Sequence, residues 1–488
     1  LLFEAGWILI EQREHVDLWC RPGKKMGVSA SFHRKYRTFY VFTSNAPPFE
    51  HHRYYWPFTI FSMLKHGGDR EAAAKEIRGD WKPAAPVSDE AKDKEPPEVE
   101  EKPVDTAWVD EIKYTDGWRA KELVRLHGED LRYCDDWAQW LVWDGQRYKP
   151  DRSLEIAKRA KATVGTMLRG AAAIIERGGD ANELISKAKK ADSAAQYQSM
   201  ISLARSEPGV SILPEEIDTD KWVLNVSNGV IDLKSGELLP HDRKRLLTKI
   251  APVTYIPDAY SELWETFLAR VMNENEDIIA FMQRVCGYVL TGDVSEQCFF
   301  FLYGSGANGK SVFTKTIQIM MGDYAKTAPR EMLLLKRNTG GAEQKYEVAD
   351  LKGARLIVAS ETEKKRRLAE SLIKDLTGSE RRKGRFPHGR EFEYEPEDKI
   401  FLFGNHKPQI HGTDDGIWRR LKEIDFTVQI APDEQDKHLT EKLCSPANLS
   451  GILAWAVQGC LDWQNDGIGT PVEVETATNK YRARMDVL

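Results

Sequence analysis

Residues 298–311 read CFFFLYGSGANGKS, and the reading of the whole chain turns on them. Cys298 to Tyr303 is an unbroken apolar run, and Gly304 to Ser311 then fits G-x-x-x-x-G-K-[ST] at every constrained position. An apolar run with no polar alternation implies a strand covered on both faces, as in a parallel sheet. Ligands of such sheets bind at the carboxyl ends of the strands. Here that end is a glycine-rich loop opening a helix. The backbone N–H groups of Gly304, Ser305, Gly306, Ala307, Asn308 and Gly309 are expected to curl around a phosphate, helped by the helix N-terminus. Lys310 would reach the β- and γ-phosphates and the Ser311 hydroxyl would ligate Mg²⁺, so ATP and Mg²⁺ are the expected cofactors. The helix is expected to run to Met321 and to close on Gly322.

Two more short apolar runs end in polar residues suited to the same site. Leu356 to Ala359 leads to Ser360-Glu361-Thr362-Glu363, where a carboxylate can orient water and hold Mg²⁺ through water. Glu361 is the first candidate and Glu363, on the same face of a continuing strand, the second. Ile400 to Phe403 leads to Gly404-Asn405, and an amide there, on a strand between the other two, would sense the γ-phosphate. Read alone, Asn405 before Lys407-Pro408 is only a turn. Trp418-Arg419-Arg420 then precedes a strand expected over Ile424–Val428. Either arginine could stabilise transferring phosphate, from the same or a neighbouring subunit, or bind a surface carboxylate.

Between the acid strand and Asn405 lies an insertion. Leu368, Leu372, Ile373 and Leu376 share one helical face, closed by Gly378. Arg381 to Phe386, a Pro387-His388-Gly389 tip and Arg390 to Tyr394 read as a β-hairpin. Lys383, Arg385, His388 and Arg390 make it a basic finger able to grip nucleic-acid phosphates, or a solvated charged surface.

Outward from this core, 488 residues suffice for several domains, and 30% charged with 41% hydrophobic residues is ordinary globular composition. A net charge of −6 excludes a uniformly basic coat but not a basic channel. The apolar runs are too short to span a bilayer, so no membrane partner is expected. Six cysteines without a CxxC pair argue for reduced thiols in a cytoplasmic protein rather than a zinc ribbon or disulfide framework. Residues 1–81 read as a small α+β unit, with strands at Gly6–Ile10, His15–Cys20 and Arg37–Phe42 and helices at Pro57–Lys65 and Asp69–Ile77. Arg34, Lys35, Tyr36, Arg37, Tyr40, Arg53, Tyr54 and Tyr55 interleave basic and aromatic character there, which suits either core or nucleic-acid stacking. Residues 82–107, proline-rich and charged, read as a disordered linker. Residues 108–296 read as a helical and hairpin domain of scaffold or oligomerisation type. It has a two-residue turn at Asp144-Gly145, a turn at Asn228-Gly229, and helices within Leu154–Arg205 and Ser261–Leu290. Residues 297–430 form the α/β core and 431–488 a C-terminal helical segment.

The order GSGANGKS, ARLIVASE, LIKDLTG, KIFLFGNHKP and GIWRRL resembles the phage and plasmid primase family, close to the poxvirus primase–helicases. The resemblance runs from about Tyr114 and is most specific over Phe299–Phe426. It implies a superfamily 3 helicase with an AAA+ core, moving 3′→5′ on single-stranded DNA as a hexameric ring in a bacterial host cell of phage or mobile-element origin. It further implies that Gly304–Ser311 is the Walker A motif, Glu361 the Walker B acid, Asn405 sensor 1, and Arg419 or Arg420 the arginine finger. Lys374 falls in the motif before the DNA-contacting hairpin. The unit at 1–81 looks like the segment that follows a primase–polymerase domain, which would lie upstream of Leu1. A winged helix, common after this core, would lie beyond Leu488. Two other function classes remain open: a nucleic-acid-sensing ATPase that does not unwind, and a clamp that recruits a primase.

Overall fold

The first 60 residues form a meander of short strands rich in aromatic and apolar residues. These are β1 (Ile8–Gln12), β2 (Val16–Cys20), β3 (Ala30–His33), β4 (Thr38–Val41) and β5 (Arg53–Tyr55), followed by α1 (Pro57–Lys65). They form one antiparallel sheet in sequence order. Trp7, Phe39 and Phe49 meet edge to face, with centroids 5.2–6.0 Å apart, at its core. The computed structural model describes residues 2, 5–12, 16–24, 28–33, 38–41, 46–49, 53–55, 57–69, 72, 115–329, 331–335, 341–361, 366–385, 391–411 and 415–486. Arg34, Lys35, Tyr36 and Arg37, nearly all of the helix expected at 69–77, and the linker expected at 82–107 therefore lie outside the described residues. Tyr40, Arg53, Tyr54 and Tyr55 fall on β4 and β5, but their side chains are outside the description too. Three strands appear where expected. β3 and β5 were missed because they are short and carry little alternation.

The chain divides into two units, Leu1–Asp105 and Thr106–Leu488. The second opens with α2 (Asp116–His127), β6 (Leu131–Cys134), β7 (Gln139–Trp143), β8 (Tyr148–Pro150), α3 (Glu155–Glu176), α4 (Asn182–Ala191), α5 (Ala194–Ala204) and β9 (Ser211–Ile212). Leu131, Trp140 and Val142 from the strands pack with Leu123, Ala160, Val164 and Met200 from the helices. The turn after β7 is longer than the expected two residues. Trp143 pairs with Tyr148, and the Asp144 carboxylate accepts from Gln146 N and Arg147 N at 2.9 Å, closing a four-residue loop.

A second meander follows: β10 (Val223–Val226), β11 (Gly229–Asp232) and β12 (Glu237–Leu239). Its first turn is Ser227-Asn228, one residue earlier than read from Asn228-Gly229. Gly229 is already in the ladder, because a Cβ there would sit 2.4 Å from Leu239 O. Next come α6 (Glu262–Val271) and α7 (Glu276–Leu290), both within the expected helical block.

The apolar run becomes β13 (Phe299–Tyr303), and α8 (Lys310–Met321) ends on Gly322 as expected. Then follow β14 (Ala325–Thr327), α9 (Gly341–Asp350), β15 (Leu356–Glu361), α10 (Glu370–Leu376), β16 (Arg382–Arg385), β17 (Glu391–Tyr394), β18 (Lys399–Gly404), α11 (Asp415–Trp418) and β19 (Leu421–Asp425). Three helices finish the chain: α12 (Leu439–Leu443), α13 (Pro446–Asp466) and α14 (Val472–Asp486). The central sheet has the order β14-β15-β18-β13-β19, and every pair is parallel.

Both faces of this sheet are covered, which explains the unbroken apolar runs. Phe300 and Leu302 point into a core shared with α6, α7, α8 and α13, while Phe299 and Phe301 point into one shared with α10, α11 and α14. The α7–α13 crossing is as close as backbones allow. A Cβ on Gly287 would lie 2.0 Å from Cys460 N, and one on Gly459 would lie 2.1 Å from Gln283 O. Arg355, 2% exposed, donates to Val223 O at 2.8 Å and Leu290 O at 2.7 Å, fastening the meander to the sheet.

Two expectations are corrected here. The last strand is Leu421–Asp425, not Ile424–Val428: it pairs with β13 from Phe299↔Leu421 onward, and the chain then turns so that Ile430 N bonds Ala307 O at 2.8 Å. A buried Glu423 inside the strand hid it from a reading based on apolar runs. Leu368 is not part of the helix that carries Leu372, Ile373 and Leu376. It forms a bridge with Leu334 instead, and the helix closes on Thr377 rather than Gly378.

Candidate functional site

Three strands end at one level. Tyr303 on β13 and Glu361 on β15 both lie opposite Gly404 on β18, so β18 runs between the loop strand and the acid strand, as the sequence suggested. A cleft of about 360 Å³ opens over these ends. Gly306, Ala307, Asn308, Gly309, Lys310, Ser311 and Val312 line one side, with Ser360, Phe403, Gly404 and Asn405 on the other. The P-loop residues and Asn405 are thereby brought together. Glu361 ends β15 at the same level, its side chain lying outside the described residues, as does all of Glu363.

The loop is built by close packing. Gly304 faces Asn308 and Phe426 O, and a Cβ there would fall 2.1 Å from Asn308 Nδ2. Gly309, at φ +83°, lies against α6, where a Cβ would meet Val271 Cγ1 at 2.6 Å. Asn308 is 3% exposed and works internally: Nδ2 donates to Phe426 O at 3.1 Å, and Oδ1 accepts from Lys310 Nζ at 2.7 Å. Lys310 Nζ also donates to Gly304 O at 2.8 Å. Burial lowers the Lys310 pKa to about 8. Ser311 and Asn405 are exposed to the cleft.

These residues fit a nucleotide triphosphate. Lys310, the glycine-rich loop from Gly306 and the N-terminus of α8 border one cleft, and a cation and a helix N-terminus both favour an anion. Ser311, exposed to the same cleft, has a hydroxyl that could ligate Mg²⁺. Among the described residues no group of three or more His, Cys, Asp or Glu could cage a metal.

The arginine pair is split. Arg419 is exposed, whereas Arg420 is half-buried and donates to Gly416 O at 2.8 Å, back onto its own helix. In the hairpin, Arg382 and Gly384 face inward. Arg382 pairs with Asp398 at 2.6 Å, and Tyr394 Oη donates to Val348 O at 2.7 Å. Lys383 and Arg385 are exposed on the outer face, where the register places them opposite Glu393 and Glu391. Lys383 lies 3.5 Å from Glu393 Oε1. His388 and Arg390 at the tip lie outside the described residues, and Lys374 is half-buried on α10.

Sequence reasoning missed Lys407. It makes an ion pair with Glu423 of β19, which is 0% exposed. The Lys-Pro after Asn405 was its only sequence signal. The six cysteines carry unpaired thiols, and no helix among the described residues is long and apolar enough to cross a membrane.

A sequence profile described as "D5 N terminal like" matches residues 120–273, and one for a family of unknown function (DUF5906) matches residues 302–420. Similar curated proteins come from large DNA viruses. One named as a helicase from Acanthamoeba polyphaga mimivirus is 26% identical over 293 residues, 56% of this chain and 30% of that protein. One named as a primase from African swine fever virus is 22% identical over 240 residues, 48% of this chain and 25% of that protein. One named as a helicase from Invertebrate iridescent virus 6 is 24% identical over 270 residues, covering 52% and 27%. The matched stretch thus spans under a third of each of these relatives. Among solved structures, the apo C-terminal region of NrS-1 aligns with a TM-score of 0.46 and 9% identity, covering 75% of this chain and 74% of that one. Profile matches, viral relatives and the order of motifs along the chain agree: the chain is similar to phage and viral primase–helicases.

Proposed function

We propose that this chain is the ATP-hydrolysing motor of a DNA primase–helicase, with an AAA+ core of the superfamily 3 type acting as a ring on single-stranded DNA. The observation that carries the reading is the cleft joining Gly306–Ser311 to Ser360 and Asn405 across three aligned strand ends. Bound ATP and Mg²⁺ would supply the reactive phosphoanhydride and its charge neutralisation. In this reading the chain's own groups divide the remaining work. Backbone N–H groups of 305–309 and the α8 N-terminus hold the phosphates, the Gly304 N–H expected among them being bonded to Gly404 O instead, and Lys310 leaves Gly304 O and Asn308 Oδ1 to pair with them. Ser311 faces the metal, Glu361 takes the water's proton or orients it, and Asn405 fixes the water against the γ-phosphate. Arg419, exposed while Arg420 is tied back, is the group free to reach a neighbouring subunit's site.

The test is ATP turnover with and without single-stranded DNA, together with sizing of the assembly. Lys310→Ala is expected to abolish turnover. Glu361→Gln is expected to bind ATP yet hydrolyse it about 10²–10⁴-fold more slowly. Full turnover in Glu361→Gln would move that role to Glu363. Turnover without any strand displacement would favour a second reading, a nucleic-acid-sensing ATPase. The acid-matched stem of β16–β17 lends that reading some support.

A further inference from the structure

Lys407 stands two residues past Asn405, in a segment that any Pro-containing turn could form. It is built in far more tightly than a turn requires. Its side chain is 13% exposed and forms an ion pair with Glu423 of β19, which is fully buried. Its Nζ also lies 4.5 Å from the Tyr303 ring centroid and 5.0 Å from that of Tyr481. Tyr303 is the last residue of β13, directly before the phosphate loop. Tyr481, on α14, donates its hydroxyl to Pro408 O, the next carbonyl along from Lys407. One ammonium thus touches β13, β19 and α14 while belonging to the tip of β18.

The chemistry around it is costly. Asp425 puts a second carboxylate on the same strand face, with one buried oxygen lacking a donor. Burial pushes the Glu423 carboxyl up to about 8, against the downward pull of Lys407. An apolar residue at position 423 would pack against Phe301 and Tyr481 without any of this. Meanwhile Asn405 is exposed, and only the β18 ladder and the Gly304 N–Gly404 O bond of 3.3 Å anchor its backbone from the strand side. Past the tip, the chain is held by the side-chain contacts of Lys407, by the Tyr481 bond to Pro408 O, and by Gln409, whose N donates to Arg366 O at 2.7 Å and whose O accepts from Leu368 N at 2.9 Å.

We propose that Lys407 is a positioning residue. Clamped by Glu423, Tyr303 and Tyr481, it holds the tip of β18 in register with the phosphate loop and so fixes where the Asn405 amide stands. The proposal rests on the reading of Gly304–Ser311 and Asn405 as the nucleotide site.

The experiment measures kcat and KM for ATP, with thermal melting, on the full chain. The variants are Lys407→Arg, the double variant Lys407→Met/Glu423→Gln, and Tyr481→Phe, with Lys310→Ala and Asn405→Ala as references. Lys407→Met alone would strand a buried carboxylate and is open to misfolding, whereas the double variant removes both charges together. The double variant is expected to melt close to wild type with kcat lowered about 10²-fold, the cost of a small misplacement, and KM changed by less than about twofold. Lys407→Arg, which keeps charge and ring contact, is expected to recover most of kcat. Tyr481→Phe loses only the bond to Pro408 and is expected to lower kcat about tenfold, again at unchanged KM. Wild-type kcat in both the double variant and Tyr481→Phe would overturn the proposal, leaving the pair as core filling. Activity lost only in proportion to folded protein would overturn it too. Full kcat in Asn405→Ala would instead remove the underlying reading of the β18 tip, a result legible without the Lys407 series.

Discussion

Lys310 sits at 4% exposure, with its ammonium spent on Gly304 O and Asn308 Oδ1. Burial lowers its pKa from 10.5 to about 8. Between those values the unfolded chain binds more protons than the folded one, so this residue makes stability rise with pH across that window. Phosphate binding runs the other way, because it needs the charged form present below about 8. We therefore expect kcat/KM for ATP to fall as pH rises through about 8, since that ratio reports groups of the free protein. Plain kcat should stay flat there, because bound phosphates keep the lysine charged. A kcat/KM profile level from about pH 7 to 9.5 would show that Lys310 does not titrate in the free protein.

At the scale of elements, the hairpin is less basic than its sequence suggests. Side-chain alternation sends Arg382 inward to Asp398 and leaves Lys383 and Arg385 outward, each facing a glutamate across the ladder. A cation already beside a carboxylate releases few counterions when it meets a phosphate. In the proposed DNA-contacting role, the grip would then fall to His388 and Arg390 of the tip expected from the sequence. In a salt titration of single-stranded DNA affinity, Arg390→Ala should flatten the log–log slope by about 0.7, one phosphate contact. The double variant Lys383→Ala/Arg385→Ala should change it by less than that. Equal flattening by both would show that the stem pairs open on DNA, and no change in either would reduce the hairpin to a solvated surface.

At the scale of the whole molecule, the proposed ring follows from what one subunit leaves outside its own cleft. The cleft is lined by β13–α8, β15 and β18, while Arg419 is exposed at the opposite, amino-terminal end of β19. An arginine there serves a phosphate only from a neighbouring copy. Mixing Arg419→Ala protein with Lys310→Ala protein should therefore restore part of the turnover that each lacks, because some interfaces pair an intact loop with an intact arginine. Arg420→Ala mixed in the same way should show no such rescue. A monomer whose specific activity is independent of concentration would end the ring proposal.

What the sequence determined by itself was local. The parallel sheet, the loop–helix junction, the helix end at Gly322 and the placement of β18 beside the loop strand were legible because unbroken apolar runs and fixed glycine spacing depend on neighbours in the chain. The tertiary structure decided the partners of charged residues. Glu423 reads as a strand breaker until Lys407 is found across the sheet, and so β19 was placed three residues late. Nothing in the sequence shows that the Asn308 side chain bonds both Lys310 and Phe426 O, which only the folded loop brings together. The hairpin read as basic until its register set Lys383 and Arg385 against Glu393 and Glu391. Apolar burial follows a period along the chain, but a buried charge is stable only beside its partner, and that partner's distance in sequence is set by the fold.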